Sequence, residues 1–263
     1  MEILVCAKRV PDTSENEIEI NSAGNDIERD DLVYSVNEWD NYAVEEALQI
    51  VGRVGGEVTV ATVGGEDDEE VLRREMAMGV KRGVLISDDA FTGSDGAGIA
   101  TILKAFVQNG HYDLILTGVQ AADGCAQVGG MLAAMLDYPF ASLVNSIEEL
   151  DGGKLKVTRE VEGGDKEINE IDLPCVLSIQ TGINEPRYVG MRGIRQVASI
   201  PIPTLGAAGL GLAPTAAGAA AAKVKRTDYF MPVLGKGAEM LEGSGEEMAD
   251  KVIELMKAKG GLR

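Results

Sequence analysis

Along the first half of the chain, short continuous apolar runs alternate with longer stretches in which apolar residues recur every third or fourth position. "EILVCA", "EVTVATV", "GVLIS" and "YDLILTG" are the short runs, rich in Val, Ile and Leu. Runs of that length and type suit central strands of a parallel sheet, buried on both faces. Between them lie "SVNEWDNYAVEEALQIVG", with Trp39, Ala43, Ala47 and Ile50 at helical spacing and Gly52 near its end, and "EDDEEVLRREMAMG", an acidic start with a glycine stop. "GAGIATILKAFVQNG" and "CAQVGGMLAAML" are the next two helical stretches. Strands separated by such helices predict a parallel sheet with right-handed crossovers, an α/β fold of the doubly wound kind.

After Asp137 the pattern changes. Asp151-Gly152-Gly153 and Glu162-Gly163-Gly164 punctuate alternating segments, so "KLKVTREV" and "KEINEI" predict hairpin strands. "CVLSIQTG" predicts a return to the main sheet. From Leu205 to Ala222 the chain is Ala/Gly-rich and predicts a surface arm or linker that packs on something else. "GEEMADKVIELMKAKGG", acidic early and lysine-bearing late, predicts a last helix. These signals divide the chain into an α/β domain over 1–204 and an arm with a C-terminal helix over 205–263.

Composition narrows the function. Lys and Arg total 24 against 43 Asp and Glu, a net charge of −19. Nucleic acid and anionic membrane surfaces are poor partners for such a chain, because they are bound by cations that displace counterions. A small phosphate remains possible through backbone N–H groups and helix N-termini. Gln196–Ala222 carries no charge, but its three prolines and sparse large side chains do not make a ~20-residue span. Cys6, Cys125 and Cys175 are scattered and odd in number, which argues against a disulfide framework or zinc site and for a reducing, cytoplasmic or matrix-like compartment. "MEILVCAKRVPD" has no cleavable-signal layout.

There is no GxGxxG, no Walker lysine loop and no GxSxG. His111, the one histidine, precedes a strand, at the end opposite the expected ligand crevice, and reads as a turn residue. A hydrolase therefore lacks a nucleophile–base pair. The segments after the strands are more informative, since ligands of open parallel sheets sit beyond the strands' carboxyl ends. These are "AKRVPD", "TVGG", "DDAFTGSDGAG" and "TGVQAADGCAQVGG". In the last, Asp123 or Cys125 begins the helix, either as part of a phosphate-holding turn or as a simple N-cap. Nucleotide binding, as in a nucleotide-sensing module, and simple turn architecture both remain compatible with these loops.

Five stretches together resemble the β subunit of electron transfer flavoprotein: "VCAKRVPD", "VNEWDNYAVEEAL", "REMAMGVKRGVLI", "LILTGVQAADGCAQVG" and "LPCVLSIQTGINEPRY". Val157, Arg159, Glu160 and Gly163, then Leu173 and Pro174, then Asn184, Pro186, Arg187 and Tyr188 match the family's V-x-R-E-x-x-x-G, L-P and N-x-P-R-Y pattern. The resemblance implies an adenine-nucleotide-binding type of doubly wound sheet and a heterodimer with a flavin-bearing α subunit. It also implies exchange of electrons with flavin dehydrogenases such as acyl-CoA dehydrogenase. By motif, the nucleotide pocket would include Ala7, Lys8, Val10, Asn37 and Asp40, then Thr117, Gly118, Gln120, Asp123, Gly124, Cys125, Gln127, Val128 and Gly129. Ordinary members hold AMP there; electron-bifurcating members hold a second FAD and meet NADH nearby. "DDAFTGSDGAG" resembles the bifurcating pattern A-F-x-G-x-D-T through Ala90, Phe91, Gly93 and Asp95, with Gly96 in place of Thr, and favours FAD. The C-terminal arm lacks the bifurcating pattern. The segment after "NEPRY" resembles the recognition loop that docks the dehydrogenase, with Met191 as its apolar anchor. Its "IRQVASIP" replaces the lysine-rich run of some members.

Overall fold

The computed structural model describes residues 1–233, 235 and 237–261, which fall into two compact units. The first comprises 1–19 and 28–227, the second 20–27 and 228–263.

In the first unit, β1 (Glu2–Cys6) leads into a short antiparallel pair, β2 (Arg9–Pro11) and β3 (Tyr34–Val36). There follow α1 (Glu38–Val54), β4 (Glu57–Val63), α2 (Glu69–Met78), β5 (Arg82–Ile86), α3 (Gly96–Gln108), β6 (Leu114–Gly118) and α4 (Val128–Leu136). Three longer strands then form a meander: β7 (Phe140–Leu150), β8 (Lys154–Glu160) and β9 (Lys166–Asp172). β10 (Cys175–Ile179), α5 (Met191–Val197), β11 (Thr204–Leu205) and α6 (Ala207–Leu210) complete the unit. The main sheet has nine strands in the order β11-β5-β4-β1-β6-β10-β7-β8-β9. It is parallel from β11 to β7 and antiparallel from β7 to β9.

Alternation along each central strand sends side chains to both faces. Ile3, Val5, Val58, Val60, Leu114 and Leu116 pack with Ala43, Val44, Ala47 and Ile50 of α1 and with Val71 and Leu72 of α2. Leu4, Ala61, Val84, Ile86 and Ile115 pack with Ile102, Leu103 and Phe106 of α3 and with Leu132 and Ala133 of α4. This is the doubly wound arrangement expected from the sequence, with the predicted hairpin strands as β8 and β9 and "CVLSI" inserted between β6 and β7. α1 runs past Gly52 and stops at Gly55, whose φ of 77° is open to glycine.

The Ala/Gly-rich stretch begins inside the sheet. Thr204 and Leu205 pair with β5, and Ala207, Leu210 and Ala217 are buried. Small residues permit the approach: a Cβ at Gly206 would lie 2.8 Å from the Asp88 carboxylate, which accepts a hydrogen bond from Ala207 N. No helix among the described residues is long and apolar enough to cross a membrane.

The second unit holds α7 (Gly245–Ala258), the predicted last helix. It opens with a capping box: Ser244 Oγ accepts from Glu247 N, and the Glu247 carboxylate accepts from Ser244 N. Val252, Ile253, Leu255 and Met256 of this helix are exposed.

Candidate functional site

The C-terminal ends of β1 and β6 are tied to the start of α1 by one carboxylate. Asp40, only 4% exposed, accepts from Lys8 N and Gly118 N, both at 2.9 Å. Burial pushes its pKa up to about 7, against the opposing pull of these bonds and of Asn37. Asn37, 2% exposed, donates from Nδ2 to Gln120 O at 2.8 Å, and its backbone N donates to Lys8 O. Asn37 Oδ1 is buried without a hydrogen-bond partner. These two side chains therefore fix the loops after β1 and β6 relative to each other, and one polar atom is left over.

Gly118 is small for the same reason: a Cβ there would overlap Asp40 Oδ1 and lie 2.6 Å from Trp39 Cβ. Its close neighbour is α1, so a side chain at 118 strikes the helix start before it reaches any ligand. Trp39 in turn donates from Nε1 to Gln180 Oε1 at 3.1 Å, which brings in the residue that follows β10.

Beyond β6 the loop 120–127 is largely exposed, and α4 begins at Val128 rather than at Asp123 or Cys125. Ala126 takes a φ of 55°, which breaks the helical path before Gln127. Gln127 stands at the N-cap without a side-chain cap bond. The first-turn N–H groups of Val128, Gly129 and Gly130 precede any intrahelical acceptor. Gly129 lets α4 sit close on the sheet: a Cβ would come within 2.5 Å of Ser178 Oγ and 2.8 Å of Thr117 Oγ1, which bond each other at 2.9 Å. Asp123 turns back, its Oδ1 accepting from Lys8 Nζ at 2.6 Å and its carbonyl from Arg226 Nη2 at 2.8 Å.

The structure thus brings together Ala7, Lys8, Asn37, Asp40, Thr117, Gly118, Gln120 and the turn from Asp123 through Gly124, Cys125 and Gln127 to Val128 and Gly129. Val10 lies buried in β2, paired with Ser35. Sequence reasoning missed Ser178, Gln180 and Arg226. The first two carried a usable signal, since "SIQTG" closes a strand at the same sheet edge as "LTGVQ". Arg226 carried none, because its place depends on how the arm folds back. Cys125 is exposed, whereas burial pushes the Cys6 and Cys175 thiols up to about 12.

Met191 belongs to a different surface, at the first turn of α5, and is 65% exposed. The "NEPRY" segment before it is clamped to α1. Arg187 forms a two-pronged bond to Glu45, Nε to Oε2 at 2.7 Å and Nη2 to Oε1 at 2.9 Å, and Asn184 Nδ2 donates to Glu46 Oε2 and Tyr42 O. Tyr188 then stands 92% exposed.

Comparison with known proteins agrees with this architecture. Residues 25–210 match the electron transfer flavoprotein domain. The chain is 36% identical to the electron transfer flavoprotein subunit beta of Methylophilus methylotrophus over 97% of its own length and 98% of the relative's. It is 34% identical to the subunit of the same name from Bacillus subtilis, over 98% of both chains. It is also 36% identical to the caffeyl-CoA reductase-Etf complex subunit CarD of Acetobacterium woodii, over 98% of this chain and 99% of the relative. With a matching domain, full-length relatives and a doubly wound sheet of the expected kind, the chain belongs to the electron transfer flavoprotein family, as a β subunit.

Proposed function

We propose that this chain holds a nucleotide at the C-terminal ends of β1, β6 and β10, and serves as the β subunit of a heterodimer with an electron transfer flavoprotein α subunit. One observation carries the reading: Lys8, Asn37, Gln120 and the start of α4, whose N-cap makes no side-chain bond, lie at the strand ends where ligands of such folds bind. The orphaned Asn37 Oδ1 and the Gly129-Gly130 pair in the first turn of α4 fit a ligand that brings a donor and a phosphate. Asp40 keeps the two loops in register, Gly129 seats α4, and the α4 N-terminus would face the phosphate.

FAD is the favoured nucleotide, and the complex is then an electron-bifurcating one that also meets NADH. The match of Ala90, Phe91, Gly93 and Asp95 to the bifurcating pattern supports this, as does the similarity to a subunit of a reductase–Etf complex. A bound flavin supplies the one- and two-electron chemistry, which explains a site without acid–base machinery. The second reading, a single-flavin carrier with structural AMP in this subunit, draws on Gly96. It offers no hydroxyl, and Gln127 fills the adjoining space, its Oε1 lying 2.9 Å from where a Cβ would be. Electrons would pass to and from flavin dehydrogenases such as acyl-CoA dehydrogenase docked at the segment around Met191, in a cytoplasmic setting in keeping with three free thiols.

The test is the nucleotide inventory of the co-purified heterodimer, denatured and resolved by chromatography. Two FAD and no AMP per heterodimer fits the bifurcating reading. One FAD and one AMP fits the carrier, and no nucleotide beyond the α-subunit flavin overturns the pocket.

A further inference from the structure

The arm after α6 is stitched across the ends of β5 and α3. Ala219 N donates to Thr92 O, and Gly218 N to Ser94 Oγ at 2.8 Å. Lys223 N and Val224 N both donate to Asp95 Oδ2, at 2.7 and 3.0 Å, while Asp95 Oδ1 caps α3 by accepting from Gly98 N. Asp95 therefore does two jobs, and these backbone bonds hold its carboxyl below its usual range. The consequence lies beyond Val224. The arm delivers Arg226 to the turn before α4, where its guanidinium donates to Asp123 O.

Two cations from distant parts of the chain, Lys8 and Arg226, thus meet at one residue of the candidate phosphate turn. The α4 N-terminus adds a third positive element. A monophosphate is served by a helix N-terminus and one cation. A second cation with a planar fork of donors suits a second phosphate. Asp123 gathers both cations: its carboxylate accepts from Lys8 and its backbone carbonyl from Arg226.

We propose that Arg226 reads a second phosphate and gives the pocket a preference for nucleoside diphosphate groups over monophosphates, with Asp95 as the positioning residue that fixes the arm. The inference rests on the nucleotide reading above and goes beyond it by naming the ligand's phosphate chemistry and a residue of the arm that selects it.

The test uses the heterodimer stripped of exchangeable nucleotide and titrated calorimetrically with ADP and, separately, AMP. Wild type is expected to bind ADP about tenfold more tightly than AMP, the worth of one charge-assisted contact. Arg226→Gln should remove that preference, weakening ADP about tenfold and AMP less than threefold. Asp95→Asn keeps an N-cap for α3 and leaves the Arg226 side chain chemically unaltered while weakening the acceptor that holds the arm, so a loss of the same preference there assigns the positioning role. Thermal melts accompany each variant; if Arg226→Gln does not fold, Asp95→Asn and Arg226→Lys carry the test, the lysine retaining charge without the fork and giving an intermediate preference. The proposal is overturned if the variants keep the wild-type ratio of ADP to AMP affinity, or if both ligands weaken equally. Should wild type bind neither ligand, the nucleotide reading itself fails, an outcome distinct from wild-type binding without a diphosphate preference.

Discussion

Replacing Glu75 with methionine is predicted to stabilise the protein by an amount that grows with pH. Glu75 of α2 is fully buried, and neither carboxylate oxygen has a hydrogen-bond partner. Burial pushes its pKa from 4.5 up to about 8; the charge of Asp40 on α1 adds to the rise and Arg74, its neighbour on α2, opposes it. Asp40 ionises more readily because two backbone N–H groups hold its charge, and Glu75 keeps its proton. The folded state therefore binds this proton more tightly than the unfolded chain. Stability is fully present below pH 4.5, falls as pH rises towards 8, and is level above that. At about 1.4 kcal/mol per unit the loss is about 3 kcal/mol at pH 7 and about 5 kcal/mol at pH 9. Methionine fills a similar volume with no charge to bury, so it recovers this loss. It also recovers, at every pH, the roughly 1–3 kcal/mol of an unpartnered polar group. Urea denaturation of both chains at pH 5, 7 and 9, followed by the fluorescence of Trp39, the single tryptophan, measures the difference. A stability gap that does not widen from pH 5 to pH 9 refutes the reasoning.

Other perturbations separate the site from the scaffold. Gly129→Ala should push α4 off Ser178 and Thr117 and lower bound nucleotide several-fold, read by chromatography of the denatured complex. Arg187→Ala should cost about 3 kcal/mol in urea denaturation at pH 7, because it strands the buried Glu45 carboxylate. Burial alone would raise the Glu45 pKa, but the Arg187 bonds hold it below 4.5. That stabilisation is present above pH 4.5 and lost as pH falls through the lowered value, so the gap between the chains should close in acid. Iodoacetamide should modify Cys125 and spare Cys6 and Cys175, and added ADP should slow the reaction, as mass spectrometry would show. Met191→Ala should slow electron exchange with a flavin dehydrogenase while nucleotide content stays unchanged, measured by stopped-flow absorbance.

The parallel core was legible because each central strand is an unbroken apolar run and α2 carries its own stop at Gly79, although α1 runs on past Gly52 to Gly55. The β8–β9 hairpin was legible from its glycine pairs. Nothing in the sequence marks Thr204–Leu205 as a strand, since two residues carry no period, and its pairing with β5 depends on Gly206 slipping past Asp88. The start of α4 was misplaced by a few residues because local capping rules favour Asp123, whereas the fold spends that carboxylate on Lys8. The family motif places Gly118 in the nucleotide pocket; its close neighbour is Asp40, so Gly118→Val disturbs the α1 junction itself. Asn37 and Asp40 were legible only through the family resemblance, because a buried Asp at a helix start otherwise reads as a cap. Arg226 was illegible for a different reason: its contact is made through backbone bonds to Asp95, which no side-chain pattern encodes.

The most direct test of the account is amide hydrogen exchange of the nucleotide-stripped heterodimer with and without saturating ADP. In this chain, protection is predicted in peptides covering Ala7–Val10, Asn37–Asp40 and Thr117–Gly130, with the surface around Met191 unchanged. Protection elsewhere in this chain, with the segment from Thr117 to Gly130 exchanging at its unliganded rate, would contradict it.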